Sequence, residues 1–153
     1  MNDRKLDVVD ELLTPDYIGH FPPHYQPEPV RGPDGYKKVV SQIHAGLQPE
    51  VTLEDIVSGQ DKVVVRLRAQ GAHVGAYQGI PATGRPVDFS VTITCRLVDG
   101  RIAESWSDVD AMGLMMQIGV VPPPGTGPIG LVGWVVRTIV RFGLLTARGP
   151  RHA

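Results

Sequence analysis

The sequence predicts an α+β fold in which helices cover one face of a curved antiparallel sheet. Apolar residues recur at helical spacing before residue 50, and residues 51–109 alternate apolar and polar side chains with a period of two. A short apolar helix follows directly. Helices grouped before a run of strands are typical of this class. We divide the 153 residues into a domain over 1–121 and, over 122–153, a Pro/Gly linker with a C-terminal amphipathic helix.

Two helices are predicted near the N-terminus. The first spans residues 3–13, with Leu6 and Val9 among the apolar residues of one face. Prolines then predict a loop over residues 15–25, which contains His20. The second helix begins near Pro33, a residue favoured in the first turn, and ends at Gly46–Pro49. We expect His44, on this helix, to face solvent.

Four strands and a third helix follow. The strands are predicted over 51–56, 62–77 with a bulge at Gly71, 87–97 and 101–109. The third helix spans residues 111–118. Asp99-Gly100 is a strong signal for a two-residue hairpin turn between the last two strands.

This hairpin turn makes Asp110 the first candidate for a catalytic residue. With a two-residue loop, Leu97 faces Ile102, Ile93 faces Trp106 and Phe89 faces Asp110, and directly opposite residues share a face. A carboxylate among apolar side chains has a raised pKa and can act as an acid or base near neutral pH. The alternative is that Asp110 only caps the following helix. Asp108 is the competing carboxylate.

Several motifs occur in a specific order between about residue 5 and residue 120. Together they resemble the SnoaL-like polyketide cyclases, also called ester cyclases, with Ala72 replacing a usual threonine. The motifs are Leu12-Leu-Thr-Pro-Asp-Tyr-Ile-Gly-His20, Gly32-Pro-Asp-Gly-Tyr36, Ala72-His-Val-Gly75, Gly79-Ile-Pro-Ala-Thr-Gly-Arg85, Arg96-Leu-Val-Asp-Gly-Arg-Ile-Ala-Glu-Ser-Trp106 and Asp110-Ala-Met-Gly-Leu-Met-Met-Gln-Ile-Gly119.

The resemblance implies the cone-shaped α+β barrel of the nuclear-transport-factor-2-like (NTF2-like) superfamily, with N-terminal helices on the concave face of the sheet, a deep apolar pocket and a homodimer. It also implies that the aspartate four residues after the tryptophan, here Asp110, is the acid/base of an intramolecular aldol closure. No metal or organic cofactor is expected. We therefore predict a cyclase that acts on a polyketide-type or other lipophilic carbonyl metabolite.

The predicted substrate-binding residues are His20, His73, Phe89 and Trp106. The two histidines could hydrogen-bond a carbonyl or enolate oxygen, and the two aromatic residues are expected on the apolar face. A non-catalytic carrier of a lipophilic metabolite is an alternative, as is a related isomerase or epoxide hydrolase, because fold does not determine function. An exposed Asp110 that only caps its helix would favour binding without catalysis.

The composition limits the kinds of binding partner and the cellular compartment that we expect. The formal net charge is -1, so no nucleic-acid partner is expected. Cys95, the only cysteine, fits a reducing compartment, and the charged N-terminus does not resemble a secretory signal, so we expect a cytoplasmic protein. The histidines have no paired spacing of the kind found in metal sites.

The C-terminal segment, residues 129–145, is apolar except for Arg137, Thr138 and Arg141. Two internal arginines argue against a membrane-spanning helix, because charged side chains are costly in the bilayer. We expect the segment to dock on its own barrel or on a partner subunit. Contact with a membrane surface is the less favoured alternative, consistent with a basic amphipathic pattern.

Overall fold

The computed structural model describes the backbone of residues 6–147 and the side chains of residues 6–143. A 3-10 turn at Leu6–Val8 leads into the first helix. The elements are α1 (Val9–Leu12), β1 (Leu13–His20), β2 (Val30–Arg31), α2 (Gly32–Leu47), β3 (Glu50–Gly59), β4 (Lys62–Ala72), β5 (Pro86–Val98), β6 (Arg101–Val109), α3 (Ala111–Ile118) and α4 (Pro128–Ala147).

In the described part of the chain, one curved sheet has the strand order β2-β1-β6-β5-β4-β3. The predicted α+β architecture is confirmed, but the sheet is mixed because β1 runs parallel to β6. The predicted loop begins too early, since β1 continues to His20. Pro15 is tolerated there because the pairing with β6 shifts register between Leu13 and Ile18.

Helices α2 and α3 pack on the concave face of the sheet and bury its apolar side chains. Gly32 has a φ of 67°, and Pro33 lies in the first turn of α2, as predicted. The main core cluster consists of Leu47, Ala69, Tyr77, Val87, Phe89, Leu114 and Ile118. A smaller cluster joins α1 to β1 through Val9, Leu13 and Tyr17.

Gly71 does not mark a bulge. β4 pairs with β5 without interruption from Lys62 to Ala72, and the predicted continuation to Tyr77 is wrong. A Cβ atom at Gly71 would collide with the backbone carbonyl oxygen of Leu47. The glycine therefore allows the C-terminal end of α2 to approach the sheet closely.

α4 follows the Pro/Gly linker and contacts the loop before β5, where Nη2 of Arg141 donates a 2.7 Å hydrogen bond to the Thr83 carbonyl oxygen. Helix α4 begins at Pro128, one residue before the start of the predicted segment. Within the described residues, no helix combines the length and the apolar character that crossing a membrane requires.

Candidate active site

The turn between β5 and β6 decides which side chains reach the concave face. Asp99 and Gly100 have φ values of 49° and 76°, as a two-residue hairpin turn of this kind requires. Leu97 faces Ile102, as predicted. The register then shifts by one residue, because β6 contains an extra residue at Ala103.

Because of this bulge, Trp106 lies on the face of β6 opposite to the predicted one. Trp106 lies opposite Thr94 instead of Ile93, and Ser107 lies opposite Ile93. Because a shift of one residue exchanges the two faces of a strand, Ser105, Ser107 and Val109 take the concave face. The predicted pairing of Phe89 with Asp110 is also wrong, since the Asp110 N–H donates to the Ser90 carbonyl oxygen at 3.2 Å.

A cavity of about 450 Å³ lies on the concave side, between α2, α3 and the sheet. Its volume lies within the usual range for small-molecule sites. No aspartate or glutamate is among the residues that line it in the described chain. The wall includes Phe21, Tyr25, Tyr36, Val40, Ile43, His44, Tyr77, Phe89, Val91, Ile93, Ser107, Val109, Ala111, Leu114 and Met115.

A second cavity of about 320 Å³ adjoins the first, and the two share the wall residues Phe21, Tyr36, Ile93 and Ser107. At its other end, the hydroxyls of Tyr17 and Ser105 are joined by a 2.6 Å hydrogen bond. Burial is the main cause that raises the pKa of Tyr17 to about 12. This phenol is therefore neutral and can act only as a hydrogen-bonding group.

The structure brings His20 and Trp106 together on the opposite face of β6. Their rings are stacked, with centroids 5.3 Å apart and planes inclined by 7°. Glu104 accepts a 2.9 Å hydrogen bond from Nε2 of His20 and a 3.1 Å hydrogen bond from Nη2 of Arg96. The hydrogen bond from His20, together with Arg96, lowers the pKa of Glu104.

This stacked pair borders a third cavity of about 440 Å³, which is also lined by Asp108 and by prolines of the loop after β1. Phe21 and Ser107 line all three cavities, so they lie where the cavities meet. Trp106 and Phe89 thus belong to different cavities, although the sequence predicted them on one face.

Asp110 lies between two residues of the main cavity, Val109 and Ala111. Its side chain is exposed, and Oδ1 accepts a 2.9 Å hydrogen bond from the Gly113 N–H, which caps α3. The helix-cap interpretation is confirmed. Asp110 is not among the residues that line this cavity, although both of its sequence neighbours are.

His73 is fully buried and lines none of these three cavities. Its Nδ1 is 3.0 Å from the Thr83 hydroxyl, within the loop that joins β4 to β5. Burial lowers the pKa of His73, and the nearby Arg141 acts in the same direction. The structure therefore separates His73 from the other predicted substrate-binding residues.

Sequence reasoning missed Phe21, Tyr36, Ser107 and His44 as cavity residues. His44 is half-buried at the main cavity, contrary to the expected exposed position. Tyr36 and His44 lie on α2 eight residues apart, and this spacing, close to two turns, was a usable signal. Among the described residues, no group of three His, Cys, Asp or Glu side chains is arranged to hold a metal ion.

The sequence model of the SnoaL-like polyketide cyclase family matches residues 1–118 of this chain. The chain belongs to this family. Aklanonic acid methyl ester cyclase DauD of Streptomyces sp. (strain C5) is 31% identical over 128 residues, which cover 82% of this chain and 79% of DauD. Nogalonic acid methyl ester cyclase of Streptomyces nogalater is 29% identical over 128 residues, 82% of this chain and 94% of that cyclase.

Solved structures of similar sequence share the fold of this SnoaL-like chain. TsrD from Streptomyces laurentii has a TM-score of 0.69 and 30% identity, covering 78% of this chain and 87% of TsrD. Wild-type IdmH from Streptomyces antibioticus has a TM-score of 0.68 and 31% identity, covering 77% and 89%. The SnoaL match ends at residue 118, before the linker and α4 begin.

Proposed function

We propose that this SnoaL-like chain is a cyclase that closes a ring in a polyketide-type or other lipophilic carbonyl metabolite by an intramolecular aldol reaction. The observation that carries the proposal is the apolar cavity of about 450 Å³, whose wall includes both sequence neighbours of Asp110. The relatives named as methyl ester cyclases support a carbonyl substrate of this kind.

The substrate's apolar portion would occupy the main cavity against Phe89 and Val91. The side chains that line this cavity are almost entirely aliphatic and aromatic, so the removal of apolar surface from water would drive substrate binding. The adjoining cavity beyond Tyr36 gives room for an extended substrate. Holding the two reacting ends together in one cavity would lower the entropic part of the barrier.

Asp110 is the proposed acid/base of the reaction. Its carboxylate takes a proton from the carbon next to a carbonyl group, and the resulting enolate attacks a second carbonyl carbon to form the new carbon–carbon bond. The same carboxyl group then returns the proton to the alkoxide oxygen, so no external reagent is consumed. The Gly113 N–H holds Oδ1, which leaves Oδ2 for proton transfer.

His20 and Trp106 are proposed to bind a part of the substrate that extends past Phe21 into the third cavity. That cavity shares Phe21 and Ser107 with the main cavity, which supports a continuous path. The Trp106 ring offers a surface for stacking, and His20 offers a hydrogen-bonding nitrogen. His73 has no comparable route to substrate, and we propose that it positions the loop between β4 and β5 through Thr83.

A carrier that binds a lipophilic metabolite without converting it is the second candidate function. The exposed, capping position of Asp110 favours it, because the helix cap by itself accounts for an aspartate at this position. Among the described residues, no acidic side chain lines the main cavity, which also favours a carrier.

Asp110→Asn separates the two functions. Asparagine caps a helix about as well as aspartate, so the fold is retained while the proton acceptor is lost. The chain is incubated with aklanonic acid methyl ester, and the product is followed by its absorbance spectrum and chromatographic retention. Loss of turnover in Asp110→Asn supports the cyclase if turnover is kept in the control Asp61→Asn, which changes an exposed residue that lines none of the three cavities. Binding without turnover by the parent chain supports the carrier.

We further propose a cytoplasmic homodimer. The free thiol of Cys95 is compatible with a reducing compartment. Strand β3, at the edge of the sheet, exposes Leu53, Ile56 and Val57, each more than half accessible, and a second subunit could cover them. Light scattering of the purified chain would give twice the monomer mass.

A further inference from the structure

Helix α4 carries the largest exposed group of apolar side chains in the described chain. The accessible fractions are 90% for Ile129, 66% for Ile139 and 65% for Val132. At 100° per residue, these side chains belong to one continuous face. The face consists of Ile129, Leu131, Val132, Val135, Val136, Ile139 and Val140.

Most of the apolar face lies away from the side by which α4 contacts its own barrel. Contact is made by Arg141, through its hydrogen bond to the Thr83 carbonyl oxygen. Trp134 and Thr138, which are half-buried, lie on the same side of the helix as Arg141. The sequence predicted docking on the barrel or on a partner subunit, and the contact in the structure is made by the side that carries Arg141.

The charge of the C-terminal segment indicates whether a second copy of the chain or a phospholipid surface covers this apolar face. Residues 1–121 contain 11 basic and 16 acidic residues, whereas residues 122–153 contain four arginines and no acidic residue. Two such segments would repel each other if a second copy packed against α4 through the same face. An anionic phospholipid surface attracts the arginines and also takes up the apolar side chains.

We propose that α4 docks on the surface of an anionic phospholipid bilayer through the face from Ile129 to Val140. Arg137 is exposed at the edge of this face, one turn before Arg141, and would reach the lipid phosphates. The acidic barrel is repelled by the same surface, so attachment is through α4 alone. This proposal does not depend on the reaction that the cavity supports.

Vesicle sedimentation of the full chain tests the proposal. Vesicles of phosphatidylcholine are compared with vesicles of equal amounts of phosphatidylcholine and phosphatidylglycerol. We expect binding to the mixed vesicles, weakened roughly tenfold or more by the double change Val136→Glu and Ile139→Glu. The matched control is Val98→Glu with Met112→Glu, because these residues outside α4 are also exposed, at 42% and 61%, and should leave binding unchanged.

Arg137→Glu adds a second measurement that leaves the apolar face intact. It should weaken binding to the mixed vesicles and reduce its sensitivity to salt. Equal binding of the parent chain and the α4 double variant, or no binding by a correctly folded parent chain, would overturn the proposal. A lower molecular mass of the double variant in solution, without vesicle binding by the parent, would assign the face to a second copy instead.

Discussion

Gly113 lies directly beneath the carboxylate of Asp110. Its N–H donates the 2.9 Å hydrogen bond that caps α3, and a Cβ atom at position 113 would overlap the carboxylate oxygens. The absence of a side chain at 113 therefore determines where the Asp110 carboxylate sits. Helix capping and the proposed catalysis depend on the same contact.

Gly113→Ala should separate stability from activity. Alanine favours the helix by up to about 1 kcal/mol relative to glycine, and loss of the cap costs about the same, so the unfolding free energy should change little. The displaced carboxylate should lower turnover at least about tenfold. Gly133→Ala is the control, because a Cβ atom there meets open space. Full activity in Gly113→Ala would argue against Asp110 as the acid/base.

Tyr17→Phe should destabilise the protein by about 1 kcal/mol, because it leaves the Ser105 hydroxyl without its partner in a buried site. Chemical denaturation measures the change. In Tyr17→Phe with Ser105→Ala both polar groups are gone, and the loss should be smaller than the sum of the two single changes. Strict additivity would show that the two hydroxyls do not stabilise each other.

Glu104→Gln should lower the melting temperature by more than Glu54→Gln. Glu104 joins His20 to Arg96 beside the Trp106 ring, whereas Glu54 has a single ion pair with the exposed Arg66, at 3.1 Å. Exposed single pairs contribute little to stability. Thermal unfolding of both variants in the same buffer decides the comparison, and equal effects would contradict it.

The buried His73 should make stability depend on pH. Its pKa is lower in the folded chain than in the unfolded chain, so the unfolded state binds more protons as the pH falls below about 6.5. Stability from this residue is complete above that pH and is lost as the pH decreases toward 5. His73→Gln should flatten the decrease in melting temperature between pH 7 and pH 5. The control His24→Gln changes an exposed histidine, and an unchanged slope in His73→Gln would refute the prediction.

Much of the fold was predictable because local signals agreed with one another. The period-two pattern of β5, the Asp99-Gly100 turn and the capped helix α3 are each encoded by neighbouring residues. β1 was missed because Pro15 and the nearby prolines argue against a strand. Its pairing with β6, distant in sequence, and with β2 makes Leu13–His20 extended.

The candidate site was less predictable, for a specific reason. One extra residue at Ala103 moves Trp106 off the concave face and brings Ser107 onto it. No local sequence pattern predicts that bulge. Asp110 was predicted to be the catalytic residue from its position after β6 and from the family resemblance. Its exposure follows from how α3 joins the sheet, which depends on the register of β6.

By itself the sequence determined the family, the order of the helices and most strands, and the amphipathic character of α4, because these depend on residue types at short spacing. Tertiary structure alone decided the strand register, the burial of His73, the shared walls of the three cavities and the outward apolar face of α4. These features depend on contacts between residues far apart in the chain, and the spacing of residues along one segment does not specify them.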